Sequence, residues 1–319
     1  MATLRPIELI ESINAETLRV HAPTPVVFLF GGPTNGAAAA PLSQRDAFSR
    51  IFSAGGLTGC RLVLAEAANP TSMKVGYHEL LSFETDISGV VSLILLFCES
   101  AGSLAELGSF SAIPPIAERL LVVIDDFFYG QSSFVRNGPI AHIENKYGDE
   151  RVLVVDRADV GIDAEGSAAK IDLAKLASTI VPTVQDRLAA APATEKYSPG
   201  QPGHLALLMT GIVQMYGALT ISEIKEYLDK LNCPASQSDI TRGMYCSEVM
   251  GWSVRKKKGN HSYYISLTEV SAIDFQFKQD VINRDKLRWR ADLRLHWKKT
   301  DSARFRGIAE VAAANAASR

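Results

Sequence analysis

Little in this chain is suited to stapling, spanning or coordinating. Its 319 residues include four cysteines, Cys60, Cys98, Cys233 and Cys246, with no C-x-x-C spacing, and six dispersed histidines. Neither a disulfide framework nor a metal site is expected from such a set. The longest apolar run, Val90–Cys98 with Ser92 inside it, is far too short to cross a bilayer. The opening MATLRPIELIES lacks a cationic start followed by a long apolar core, so no secretory signal is expected and the reading is cytoplasmic. Charge of one sign is missing too. A formal net charge of −2 gives no global field that would draw the whole molecule onto nucleic acid. There is no G-x-G-x-x-G and no G-x-x-x-x-G-K-[ST], which excludes the dinucleotide fingerprint and the P-loop.

What is present is hydrophobic content of 47%, enough for a real core, in a length that holds two domains. Apolar runs at 26–30, 61–66, 90–97, 119–125 and 151–156 alternate with helical spacing at 42–52, 77–87, 103–110 and 168–190. Continuous apolar strands separated by helices predict an α/β fold, a flavodoxin-like doubly wound parallel sheet covered on both faces. The stretch 191–203 (APATEKYSPGQPG) reads as a linker. Beyond it come helical patterns at 205–216, 220–231 and 236–250, then a strand, a basic glycine turn and a return strand over 251–267. That order predicts a C-terminal winged helix-turn-helix domain, with 274–319 as a helical tail. The expected domains are therefore 1–190, a linker 191–203, and 204–319.

The chemistry concentrates in Val90–Ser111, VVSLILLFCESAGSLAELGSFS, where a buried strand breaks into a turn and a helix start carrying two carboxylates. Open α/β sheets place their ligands at this edge. Glu106 sits among small residues (Gly102, Ala105, Gly108) that leave room for a ligand, and in a first helical turn its charge is favoured by the dipole. The same residues also spell a capping box, Ser103-x-x-Glu106, in which Glu106 does no more than bond its own helix start. Glu99 and Glu66 close strands in the same region; each reads as a site carboxylate or as a solvated loop residue. Gly31-Gly32 follows the first strand, as a plain turn or as a place where a ligand approaches the backbone. Arg136 faces a diphosphate or forms a structural ion pair.

In the C-terminal part Arg255, Lys256, Lys257 and Lys258 are four consecutive cations at a wing tip, followed by Tyr263-Tyr264. They read as a solvated hairpin or as a phosphate contact. Arg242 and Tyr245 lie on the candidate recognition helix. Residues 284–306 carry nine basic against three acidic side chains, with Trp289 and Trp297 interleaved. Such a segment suits a polyanion, or the tryptophans are core.

The segments VFLFGG, LSFE (Leu81–Glu84), LLFCESAGSLAELGSFS and SSFVRNGP (Ser132–Pro139) resemble the effector proteins of type II-A retrons, which couple a nucleoside 2-deoxyribosyltransferase-like domain to a winged helix. The resemblance covers most of the chain. It departs at Ala101, where the family has proline, and at Leu64-Ala65-Glu66-Ala67, where the family often has Tyr-Pro-Glu-Asp. It implies a toxin effector of anti-phage defence that cleaves an N-glycosidic bond, with NAD⁺ as substrate rather than cofactor. Glu106 maps onto the family's catalytic glutamate, with Glu99 as the second catalytic candidate and Gly31, Gly32, Glu66, Gly102, Ser103 and Arg136 around the substrate. The implied partners are a reverse transcriptase and its hybrid RNA–single-stranded DNA (msDNA), contacted through Arg242 and Arg255–Lys258, with higher-order assembly open. A deoxyribosyltransferase or nucleotide hydrolase of the same fold, and a nucleotide-sensing transcription regulator, are the alternatives.

Overall fold

The computed structural model describes residues 5–72, 75–191 and 194–317. Strands among them are, in chain order, β1 (Ile13–Val20), β2 (Val26–Phe30), β3 (Arg61–Leu64), β4 (Leu93–Phe97), β5 (Leu120–Asp125), β6 (Val152–Val155), β7 (Glu195–Lys196), β8 (Ala218–Leu219), β9 (Ser253–Lys258), β10 (His261–Ser266) and β11 (Ile273–Phe277). The longer helices are α1 (Gln44–Ser53), α2 (Ala65–Ser72), α3 (Leu80–Ser88), α4 (Ala101–Ala112), α5 (Leu173–Ala190), α6 (His204–Tyr216), α7 (Ile221–Lys230), α8 (Gln237–Val249), α9 (Lys286–Thr300) and α10 (Ser302–Ala317). They form two compact units: Thr24–Asn69 with Val91–Ala191, and Met1–Pro23 with Pro70–Val90 and Pro192–Arg319.

The first unit is a mixed α/β fold around a parallel five-stranded sheet of order β3-β2-β4-β5-β6. Every residue of β2, β4 and β5 is buried. A strand covered on both faces has no solvent side, so it reads as an unbroken apolar run. Side chains still alternate between the faces. Val27 and Leu29 join Phe48 of α1 and Leu176, Ile180 and Val184 of α5 in one core. Phe30 points the other way, its ring 5.0 Å from that of Phe110 in α4. The chain leaves β2 to one side to make β3 and returns to the other to make β4. The winding therefore reverses between β2 and β4, where open sheets leave a crevice at the carboxyl ends of the strands.

The second unit holds two small antiparallel sheets, β8-β10-β9 and β11-β1-β7. The first adds β8 to the β9–β10 hairpin and packs against α6, α8 and α10. Its turn pairs Lys258 with His261. The second sheet corrects three expectations. Residues 13–20 form a strand although their burial does not alternate cleanly, and that strand belongs with the C-terminal part, not with a domain 1–190. The tail begins as β11, not as helix, because Ile13 pairs with Phe277 and Val20 with Ile273. The stretch 191–203 contains β7, whose Lys196 pairs with Arg19. Gly203 there lies so close to Gly89 that a Cβ on Gly89 would stand 2.0 Å from the carbonyl oxygen of Pro202. Residues 192–193 of that stretch lie outside the described residues. Segment 70–90 also joins this unit: the Phe83 ring of α3 lies 5.8 Å from that of Tyr245 in α8. No described helix is long and apolar enough to cross a membrane.

Candidate active site

At the carboxyl end of β4 the chain turns through Cys98, Glu99 and Ser100 into α4. Ser100 is the N-cap of that helix. Its hydroxyl accepts from the Ser103 amide, and the Ser103 hydroxyl accepts in return from the Ser100 amide at 2.9 Å and the Glu99 amide at 3.1 Å. The capping box is therefore Ser100-x-x-Ser103, one turn earlier than the sequence pattern Ser103-x-x-Glu106 predicts. Two small hydroxyls reach each other's backbone there, and the helix starts at Ala101. Ser103 is thus a buried helix cap, and Glu106 is released from capping.

Glu106 projects from the second turn of α4, half-buried, and no described residue hydrogen-bonds its carboxylate. Burial pushes its pKa up to about 7, with the Arg45 guanidinium pulling it down and the Glu66 carboxylate pushing it up. A carboxyl group divided between acid and anion near neutral pH, open to solvent and uncommitted to the protein, is suited to chemistry. A Cβ on Gly102 would come no closer than 3.9 Å to its nearest neighbour, the Ser100 hydroxyl, and one on Gly108 would meet nothing. The ground beside Glu106 is open.

Glu99 is placed differently. Its carboxylate accepts the amides of Gly32 at 3.1 Å, Gln44 at 2.6 Å and Arg45 at 3.0 Å. Gln44 and Arg45 open α1, so Glu99 occupies the anion position of that helix N-terminus. Burial raises its pKa, and the three amides with the Ser43 hydroxyl oppose the rise. Gly32 makes this approach feasible. Gly31 has φ +143°, and a Cβ on Gly32 would lie 3.0 Å from the Glu99 Oε1. The carboxylate of Glu99 itself takes up the space that Gly32 opens, whereas a Cβ on Gly31 would meet Phe97 and Arg45.

Arg45 escaped the sequence reading. It is buried, donates to the Gly32 carbonyl at 3.1 Å, and grips Glu66 with both terminal nitrogens. Glu66 opens α2 directly after β3. Burial pushes its pKa up, but the Arg45 hydrogen bonds, its own backbone amide and the Arg45 charge bring the net value below the usual one. Arg45 Nε, also buried, has no hydrogen-bond partner. The signal available in sequence was the cap Ser43-x-x-Asp46, where Ser43 accepts the Asp46 amide at 2.9 Å. It marks the start of α1 and leaves unsaid which way Arg45 points. Glu106, Glu66 and Arg45 thus form one electrostatic group, with Glu99 fastening α1 beside it. Cys98 is a buried thiol whose pKa is raised by burial first and by Glu106, Glu99 and Asp125 next.

Arg136 belongs to another cluster. It begins a π-helical turn, binds Glu144 at 2.7 Å and the Tyr129 hydroxyl at 3.1 Å, and stacks 4.3 Å from the Tyr129 ring centre. Those contacts occupy both terminal nitrogens, as in a structural ion pair. No group of side chains suited to a metal ion occurs among the described residues.

In the second unit Lys256 and Lys257 are exposed and make no side-chain hydrogen bond or ion pair among the described residues, although the charge of Lys256 also acts on Glu310, whereas Lys258 pairs with Glu310 directly. Arg255 lies 5.8 Å from the Tyr264 ring centre. Arg242 is held by Asp239 at 2.8 Å and Asp86 at 3.7 Å. Tyr245 is 5% exposed against Phe83, which removes it from any recognition surface. Tyr263, Tyr264, Trp289 and Trp297 are all buried. The indole nitrogens of Trp289 and Trp297 donate to the carbonyls of Asn283 and Tyr216, each at 3.0 Å. Of the two readings of those tryptophans, core is the one observed.

Comparison with known proteins gives the wider setting. The model of the family described as "STM3845 retron effector protein" matches residues 41–255, about two thirds of the chain. A protein of Escherichia coli named "Retron Ec86 putative ribosyltransferase/DNA-binding protein" is 37% identical over 78 residues, 24% of this chain and 25% of that one. A second from Escherichia coli, "Retron Ec73 putative ribosyltransferase/DNA-binding protein", is 31% identical over 121 residues, 37% of each chain. The aligned part thus spans a quarter to somewhat over a third of the relatives' length.

Proposed function

The chain belongs to the family of STM3845 retron effector proteins, and from that premise we propose that it is an N-glycosidase that cleaves NAD⁺ to nicotinamide and ADP-ribose through Glu106. The observation that carries the reading is the state of Glu106: half-buried, without a hydrogen bond from any described residue, with a pKa near 7, beside the Arg45–Glu66 pair at the carboxyl edge of a parallel sheet. The names of the two relatives, which speak of ribosyl transfer, support the same class of bond.

The chemistry follows from charge. The bond from C1′ to the nicotinamide nitrogen breaks with its electron pair going to nitrogen, and the cationic ring leaves neutral, needing no general acid. Positive charge builds on the ribose as an oxocarbenium ion, and an anion below C1′ stabilises it or attacks it. A bound cation also favours the ionised form of Glu106, because an opposite charge nearby lowers a carboxyl pKa. Water then adds at C1′ and loses a proton. In this reading Glu66, more than half exposed and held by Arg45, accepts from ribose hydroxyls. Glu99 serves as a positioning residue for α1.

In this reading the second unit is a winged helix that carries the effector to a reverse transcriptase and its msDNA, which restrain it, with Lys256 and Lys257 contacting phosphate. The first unit is of the flavodoxin-like class. The test is product analysis by chromatography and mass spectrometry after incubation with NAD⁺, for the protein alone and with its retron partners, beside Glu106→Ala. Nicotinamide and ADP-ribose from the wild type alone are expected. Free base released from a 2-deoxynucleoside in place of NAD⁺ turnover moves the assignment to deoxyribosyl transfer.

A further inference from the structure

We propose that a cleft in the second unit, between the end of α6, the exit of β10 and the α9–α10 pair, is a docking groove for an acidic amphipathic helix of a partner protein. The inference stands apart from the glycosidase reading and uses none of its residues. The cleft has a volume of about 760 Å³. Along one wall α9 presents Arg290, Arg294 and Lys298, four residues apart and so about 6 Å from one to the next along the axis. The facing wall is apolar, built from Leu267, Phe305 and Ile308.

The charges on this wall are largely unspent. Arg290 donates to the Gln214 carbonyl at 3.2 Å and lies 3.9 Å from Glu269, a rim carboxylate that is 87% exposed. Arg294 has no partner among the described residues, and Lys298 approaches only the Phe305 ring, at 6.0 Å. Leu295 is 57% exposed at the same cleft. A row of three cations, of which Arg294 and Lys298 make no hydrogen bond or ion pair among the described residues, beside an apolar trough matches a helix whose apolar face fills the trough and whose carboxylates recur every four residues. Single-stranded nucleic acid fits less well. It needs aromatic faces to stack on, and the tryptophans of α9 point into the core with their N–H groups spent on backbone carbonyls.

The experiment uses the full chain and a fluorescein-labelled helical peptide of about 18 residues, with leucine at i, i+3, i+4 and i+7 and glutamate along the flank. Anisotropy is followed at about 0.1 M salt. Saturable binding is expected, weakened at least about tenfold by Arg294→Glu with Lys298→Glu, at unchanged melting temperature. Ala312→Trp, which fills the groove without touching charge, is expected to weaken it as well. The proposal is overturned by absence of binding to the wild type, by equal binding of a glutamine-for-glutamate peptide, or by displacement of the peptide by a single-stranded oligonucleotide. Self-association of the chain that the charge reversal abolishes would give the groove to a second copy and overturn it too.

Discussion

Arg45 and Glu66 form a two-pronged ion pair in which the guanidinium is 1% exposed and the carboxylate 57%. The buried partner serves the exposed one. Arg45 is anchored to the Gly32 carbonyl and presents Glu66 to solvent in a fixed orientation, while its charge also reaches Glu106. Arg45→Lys keeps the charge but loses the planar fork, so Glu66 is expected to come loose while the Glu106 pKa moves little. Arg45→Met removes the charge, and the Glu106 pKa is expected to climb above its value near 7. A titration of the Glu106 carboxyl carbon by NMR separates the two variants; identical curves would count against the electrostatic link.

Glu106→Gln is expected to reduce turnover by about a thousandfold or more, since it removes the negative charge an oxocarbenium ion needs. Its effect on stability has the opposite sign. The folded-state pKa near 7 exceeds the usual 4.5, so between those values the native state binds more protons than the unfolded chain. Stability from this group is present below about pH 4.5 and is lost as pH rises through 7. The cost above pH 7 is on the order of 2 kcal/mol after allowing for partial exposure. The variant is therefore expected to melt higher than the wild type at pH 8 and equally at pH 4.5, measured by thermal denaturation across that range. A variant that melts lower at pH 8 would show that the carboxylate has a structural partner.

Glu99→Gln removes one of the two carboxylate oxygens that accept the amides of Gly32, Gln44 and Arg45. Leaving buried donors unmet costs about 2–3 kcal/mol. Urea unfolding is expected to show that loss, with activity falling through misplacement of α1 and not through a changed pH profile. Full stability with abolished turnover would instead make Glu99 a participant in the chemistry.

Ser100→Ala and Ser103→Ala each break the reciprocal cap of α4 and are expected to cost about 1 kcal/mol. Glu106→Gln at pH 4.5 costs nothing by comparison. Urea midpoints of the three variants decide which pair of residues forms the box.

Lys256→Glu with Lys257→Glu is expected to weaken binding of the msDNA hybrid and to flatten its salt dependence by a slope of about 2. Lys258→Ala has a smaller effect on the slope and a measurable one on melting, because Lys258 is paired with Glu310. Filter binding across a salt series provides the readout.

Strands β2, β4 and β5 were legible in the sequence because a strand buried on both faces must be apolar throughout; the edge strands β3 and β6 are only partly buried and showed as short apolar runs, and the helices between them follow their own period. The carboxylates at 66, 99 and 106 were legible as residues at strand and helix ends. The β1–β11 and β1–β7 pairings were not. Arg19 finds Lys196 and Asp274 across most of the chain, and nothing local announces such a partner.

The sequence by itself determined the strands of the parallel sheet, their order and the clustering of acids at one sheet edge, since each depends on local periodicity and on burial. Which acid is free was decided only by the tertiary structure. Glu99 meets amides 54 to 67 positions earlier in the chain, from Arg45 back to Gly32. Ser100 and Ser103 satisfy each other, and Arg45 turns inward to Glu66. Of these acids, the one that remains without a hydrogen-bond partner among the described residues is Glu106. Hydrogen bonding is a competition among groups brought together by folding, and its outcome depends on distances in space that a linear pattern does not contain.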